Sequence, residues 1–389
     1  MQLESQFLIA VGGILLLGLI TDALGKKTFL PRVTLLLMFG LVIGDGMLGI
    51  IPDIVSGQFE IVADMTLLMV GFLIGGKLTA SSLKESAGQI FWISITTAIV
   101  TAIVVTMVLT AFGVEPGVSI LLGCIASATA PAAIFDVVAE PDFKGPFSEL
   151  LLSIVALDDA WALLLFAVGV AIVAAMNAGD ISLVSPLYMV SREIGGAVLL
   201  GLAIGLPAAY LTGRIRPGQP MLIEALGLVF LCGGLAIMLE VSFLIAAMVL
   251  GAVIANFAKH HEYPFHAIEG IEWPFMVIFF VLAGASLELG ALKELSMLGL
   301  IYILSRIAGK YIGSMAGCSV SGVGSQMKQW MGPALLPQAG VAIGMALVAS
   351  EHFPDYAQIL LTVVISSTIF FEVIGPVFTR IALSKVRRN

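Results

Sequence analysis

The chain has 389 residues, 59% of them hydrophobic and only 11% charged, with a mean hydropathy of +1.10. Such a composition excludes an ordinary soluble protein. With 18 Lys and Arg against 26 Asp and Glu, the formal net charge of −8 also argues against nucleic acid as a partner.

A spanning helix takes about 20 residues, so about thirteen spans consume roughly 260 and leave no room for a separate soluble domain. Candidate spans fall near 5–23, 28–45, 59–78, 88–113, 117–139, 148–176, 190–212, 219–239, 242–257, 268–288, 294–318, 327–350 and 357–383. The first lacks a basic leading region and a small-residue cleavage site, so it reads as a retained span rather than a signal peptide. Cys124, Cys232 and Cys318 all lie in apolar stretches, where burial as small hydrophobes is the expectation. Fourteen of the 18 bases, among them Lys26, Lys27, Lys77, Lys84, Lys144, Arg214, Arg216 and Arg380, fall in odd-numbered loops or the C-terminal tail; the even loops hold only Arg192 and Lys293. Basic loops stay cytoplasmic, so the N-terminus is expected outside and the C-terminus inside.

Two spans carry helix breakers in their middle. The fifth contains Ser127-Ala-Thr129-Ala-Pro131, and the twelfth contains Gly332-Pro333-Ala-Leu-Leu-Pro337-Gln338-Ala-Gly340. Proline removes a backbone donor, and unwound backbone is tolerated at membrane depth only where it lines a cavity or meets partners. The breaks lie seven spans apart, so the two segments cross in opposite directions, as an inverted repeat requires.

Ionisable residues within spans are candidates for ion pathways. Ser153-Ile-Val-Ala-Leu-Asp158-Asp159-Ala-Trp161 puts adjacent carboxylates near the middle of the sixth span. Neighbours on a helix diverge by about 100°, so one can face an ion and the other a protein partner, and the two titrate as a coupled pair. Lys310, deep in the eleventh span, is the expected neutralising partner, because a buried lysine can join a proton cycle and an arginine cannot. Arg306 shares its helix face and reads as a counter-charge for a half-helix C-terminus or for Asp158, or as a snorkelling base. Asp136 follows the first break, while Glu224 and Glu372 have no evident partner. His260, His261 and His266 cluster in one loop and read as solvated, with pH sensing as the alternative. No metal-site spacing and no catalytic or phosphate-binding motif appears, so no enzymatic activity and no cofactor is expected.

Five stretches together resemble the monovalent cation/proton antiporters, nearest to bacterial Na⁺/H⁺ antiporters with a paired-aspartate motif. They are Leu30-Pro-Arg32 leading to Gly44-Asp45; Ala128-Thr129-Ala130-Pro131; Leu157-Asp158-Asp159; Gly309-Lys310-Tyr-Ile-Gly313; and Leu336-Pro337-Gln338-Ala-Gly340-Val-Ala-Ile-Gly344. The resemblance implies an all-α polytopic membrane protein, the thirteen-helix version of the NhaA-like fold, with inverted repeats and two crossed discontinuous helices. It implies Asp159 as the ion-binding carboxylate, Asp158 as the partner of Lys310, and Ser127, Thr129 and Pro131 as lining of the site. It further implies a homodimer, with a core including 59–176 and 294–383 and a dimerisation scaffold from the remaining helices. Lys77 and Arg306 stand outside the pattern of many relatives.

The expected activity is electrogenic exchange of Na⁺, with Li⁺ as a second cation, for H⁺ across the inner cell membrane. Asp159, carbonyls freed near Thr129 and Pro131, and water are the expected oxygen ligands of a hard cation. Membrane lipid and a second copy of the chain are the expected partners. The rival readings are a K⁺/H⁺ exchanger or K⁺ efflux system of the same superfamily, and a Na⁺-coupled symporter of an organic anion.

Overall fold

The computed structural model describes residues 2–28, 30–44, 47–140, 143–178, 184–212, 221–259, 262–286 and 297–387, and helix is the regular structure found among them. Asp45, His260, His261 and the loop bases Arg214, Arg216, Lys293 and Arg388 lie outside the described residues, as do the side chains of Lys26, Lys77 and Lys84. In chain order the helices are α1 (Gln2–Lys27), α2 (Arg32–Ile43), α3 (Asp53–Ser56), α4 (Phe59–Lys77), α5 (Ala80–Ala111), α6 (Pro116–Ala126), α7 (Pro131–Ala139) and α8 (Pro146–Ala178). They continue as α9 (Val184–Thr212), α10 (Met221–Met238), α11 (Phe243–Phe257), α12 (Glu262–Ala285), α13 (Met297–Val320), α14 (Ser325–Ala334) and α15 (Gly340–His352). A 3-10 turn at Pro354–Tyr356 leads into α16 (Ala357–Arg387).

Nine helical stretches among the described residues are long and apolar enough to cross a membrane, counting α6 and α7 as one. The four other expected spans are short, polar or broken. The 12 residues of α2 rise only about 18 Å against a hydrocarbon core of about 30 Å, and α11 has 15 residues. α13 is long enough at 24 residues, but Arg306, Lys310 and its serines lower its hydropathy. The twelfth expected span is divided between α14 and α15.

The chain forms two compact units. The first comprises Met1–Glu85 and Ser191–Leu287, the second Ser86–Val190 and Glu288–Asn389. α4 therefore groups with the first unit, whereas the sequence-based core began at residue 59. Glycine contacts within the first unit account for this grouping. A Cβ on Gly75 of α4 would stand 2.0 Å from the Met248 carbonyl oxygen, and one on Gly251 of α11 would stand 2.2 Å from that of Phe72. α2 and α12 approach in the same reciprocal way through Gly40 and Gly284. In lipid, where burial of apolar surface gives helices little reason to associate, such backbone contact is a main source of attraction.

The second unit repeats one order twice: long α5, broken α6 and α7, long α8; then α13, broken α14 and α15, long α16. Gly309, Gly313 and Gly317, one turn apart on α13, face the α5 backbone at Thr101, Thr97 and Ile93, where an added Cβ would come within 2.9, 2.9 and 2.6 Å of the respective Cα atoms. Thr97 and Thr101 turn their hydroxyls back to carbonyls of their own helix, each at 2.6 Å, leaving that face smooth. α14 lies against α13 at Gly332 and Tyr311, and Gly375 of α16 lies against Pro337. Leu121, Ile125, Phe166, Tyr302, Leu336, Val364 and Phe371 belong to the apolar cluster around these contacts. Lys310, beside Gly309, is thereby held by a rigid helix pair.

Candidate ion-binding site

The first break follows from its proline. Pro131 opens α7 at the first helical position, where its missing N–H is no loss, and it holds Ala130 extended at φ −78° and ψ 109°. α6 accordingly stops at Ala126, and the Ser127 hydroxyl donates to the Cys124 carbonyl at 2.6 Å. In the second break α14 ends at Ala334, Pro337 follows, and Ala339 is extended before Gly340 opens α15. The two breaks touch, with the Ala130 N–H donating to the Pro337 carbonyl at 2.9 Å.

Unwinding leaves backbone carbonyls at the end of a half-helix, the negative end of its dipole. Arg306 takes three of them. Its Nε donates to Ala126 at 3.0 Å, Nη2 to Ala128 at 2.8 Å and Nη1, across to the other break, to Leu336 at 2.7 Å. The Phe371 ring lies 4.2 Å from the guanidinium carbon, which is fully buried. Of the roles open to Arg306 from sequence, the structure places it at the half-helix C-terminus; snorkelling is excluded by burial. The fixed fork of a guanidinium suits this work as an ammonium would not.

Lys310 uses all three of its N–H donors. Nζ lies 2.6 Å from the Ser127 carbonyl, 2.6 Å from Thr129 Oγ1 and 2.9 Å from Asp158 Oδ2. The Thr129 hydroxyl accepts from Lys310 and donates to Asp158 Oδ2. Several of the oxygens exposed by the breaks are thus engaged within the protein. The carbonyls of Ala126, Ser127, Ala128 and Leu336 are capped by buried bases, and the Thr129 hydroxyl is committed to the ion pair.

Two carboxylates complete the cluster. Asp158 and Asp159 are both buried, yet Asp158 Oδ1 and both oxygens of Asp159 have no hydrogen-bond partner among the described residues. Buried acceptors are nearly always paired, so orphaned oxygens on consecutive residues require an explanation. A proton or a cation supplies one.

Other candidates are placed elsewhere. Gln338 donates to Tyr302 Oη at 3.3 Å and to the Ile125 carbonyl at 3.4 Å. Asp136 is buried in α7, one turn before Glu140, which pairs with Arg380 at 3.3 Å. Glu224 stands in the first turn of α10, and His266 is exposed on α12. Three contributors escape sequence reasoning. Phe371 looks like any aromatic in an apolar helix, Tyr302 like core, and Ser94 like a surface serine until it receives the Trp161 indole N–H at 3.0 Å. Only Trp161 leaves a trace, since the N–H of an indole within a span needs an acceptor.

Acids and bases buried together beside two broken helices, in a chain of membrane-spanning helices, define an ion-transporting membrane protein. The chain belongs to the transmembrane sodium/hydrogen exchanger family, whose family model matches residues 12–384. It is thus a multi-pass integral membrane protein of the monovalent cation/proton antiporter superfamily. The ammonium/H⁺ antiporter subunit AmhT of Alkalihalophilus pseudofirmus is 24% identical over 314 residues, covering 80% of this chain and 78% of that protein. Two solved structures of the sodium proton antiporter MjNhaP1 from Methanocaldococcus jannaschii share the fold. One, at pH 8, has a TM-score of 0.72 and 20% identity over 100% of both chains. The other, from electron microscopy, has a TM-score of 0.75 and 19% identity over 97% of this chain and 94% of that one.

Proposed function

We propose that this antiporter exchanges Na⁺ for H⁺ at Asp159. The observation that carries the reading is the set of three buried carboxylate oxygens on Asp158 and Asp159 without a hydrogen-bond partner among the described residues. Na⁺ is a hard cation that prefers oxygen ligands, and both Asp159 oxygens are free to provide them. A proton neutralises the same group, so cation and proton exclude one another at one site. That exclusion makes exchange obligatory without a second site.

Asp158 has a different task. Its pairing with Lys310 fixes one carboxylate oxygen and leaves Oδ1 available beside Asp159. When Na⁺ enters, the cluster gains positive charge and Lys310 is the base able to release a proton in response. A second proton exchanged for each cation moves one net charge per cycle and makes transport electrogenic. Arg306 stays charged throughout and holds the two breaks together while the site is exposed alternately to either side. In this reading the second unit carries the ions and helices of the first serve a homodimer.

Ammonium is the second reading, because unpartnered acceptor oxygens also suit a cation that donates hydrogen bonds. The test is cation-driven proton movement in proteoliposomes with Na⁺, Li⁺, K⁺ and ammonium, each corrected for leak in empty vesicles. Na⁺ is expected to give the largest response at equal concentration. A larger response to ammonium or K⁺ would replace Na⁺ as the substrate.

A further inference from the structure

One carboxylate of the second unit takes no part in this cluster. Glu372 stands near the midpoint of α16, immediately after Phe371, whose ring faces Arg306, and one turn before Gly375 and Pro376, where α16 meets Pro337. It is therefore at the level of the two breaks. It is half-buried and forms neither a hydrogen bond nor an ion pair among the described residues.

The turn before it holds a second anomaly. Thr368 is 1% exposed and its hydroxyl has no partner among the described residues. Its neighbours on α16 are satisfied: Ser366 donates to Thr362 at 2.6 Å, Ser367 to Val364 at 3.0 Å and Thr379 to Ala334 at 3.0 Å. Thr368 and Glu372 are four residues apart and share a face of α16, with no hydrogen bond between them. A hydroxyl can donate to a carboxylate or accept from a carboxyl O–H, and can serve both protonation states.

The charged groups on elements packed against α16 are these. Arg306 is held by three carbonyls, Lys310 by Asp158, and Arg380 on α16 itself by Glu140. Asp136 is buried in α7, Lys328 is half-buried in α14, and Glu149, His352 and Asp355 are exposed near helix ends. Asp158 and Asp159 on α8 form the cluster already described.

We propose that Glu372, with Thr368 one turn before it, is a second proton-binding site, separate from the aspartate pair, through which pH governs the rate of exchange. The proposal rests on the chain being a cation/proton antiporter and not on which cation it carries.

Two readouts test it. Infrared difference spectra of the purified protein between acid and alkaline pH report carboxyl C=O bands, and Glu372→Gln is expected to lose one band that Asp159→Asn retains. In proteoliposomes, Glu372→Gln is expected to move the pH midpoint of cation-driven proton movement by about one unit, the ordinary spread of carboxylate titration between protein sites. Thr368→Val keeps the carboxyl group and removes the hydroxyl; it is expected to displace the same band and move the midpoint in the same direction, and it serves should Glu372→Gln fail to fold. Unchanged bands and an unchanged midpoint in the variants that fold would overturn the proposal. Loss of the Glu372 band in a protein that does not respond to Na⁺ would uphold it while removing Na⁺ as the substrate.

Discussion

Asp159→Asn is expected to abolish cation-driven proton movement while leaving the protein folded. The asparagine amide occupies nearly the same volume and accepts no proton at working pH. Neither carboxylate oxygen of Asp159 has a hydrogen-bond partner to lose among the described residues, and a buried unpaired charge is a burden on the folded state. The melting temperature in detergent should therefore hold or rise. This combination separates Asp159 from a structural acid, whose removal would lower stability and activity together. Transport retained at about a tenth of wild type or more would take Asp159 out of the binding role.

Lys310 is expected to show the opposite pattern. Lys310→Ala strands Asp158, Thr129 and the Ser127 carbonyl at once, since Nζ serves all three. Breaking a buried pair by removing one partner costs roughly 3–5 kcal/mol. Protonation of Asp158 relieves part of that cost, so the fall in melting temperature should be largest at alkaline pH. Lys310→Arg retains the charge and removes the ability to release a proton. It is expected to fold and to lose electrogenicity, read as the membrane potential generated on adding Na⁺. Should Lys310→Arg transport with unchanged charge movement, Lys310 is a counter-ion only and the second proton belongs to Asp158.

Much of this arrangement can be read without coordinates, for definite reasons. Pro131 and Pro337 are visible because each stands in mid-span beside small or polar residues that loosen the helix further, whereas Pro274 and Pro376 sit within continuous helices. Asp158, Asp159 and Lys310 are visible because charge in an apolar run is rare. The pairing of Asp158 with Lys310 follows from resemblance, and the 2.9 Å contact places the two together. The fate of the freed carbonyls is not legible, because a sequence displays the break and not the base that caps it. Arg306 could have reached Asp158 from its position; only the fold carries its guanidinium to Ala126, Ala128 and Leu336. The placing of α4 in the first unit is hidden for a similar reason. It depends on Gly75 meeting Met248, a long-range contact with no local signature.

The measurement closest to the central claim is the apparent affinity for the driving cation as a function of pH in proteoliposomes of the unaltered protein. If cation and proton compete for Asp159, apparent affinity should weaken by about tenfold for each unit of falling pH once the carboxylate protonates, and more steeply where Lys310 also gives up its proton, whatever pH does to the maximal rate through Glu372. A maximal rate that falls with pH while the apparent affinity stays constant would contradict the account, because the proton would then be acting somewhere the cation does not bind.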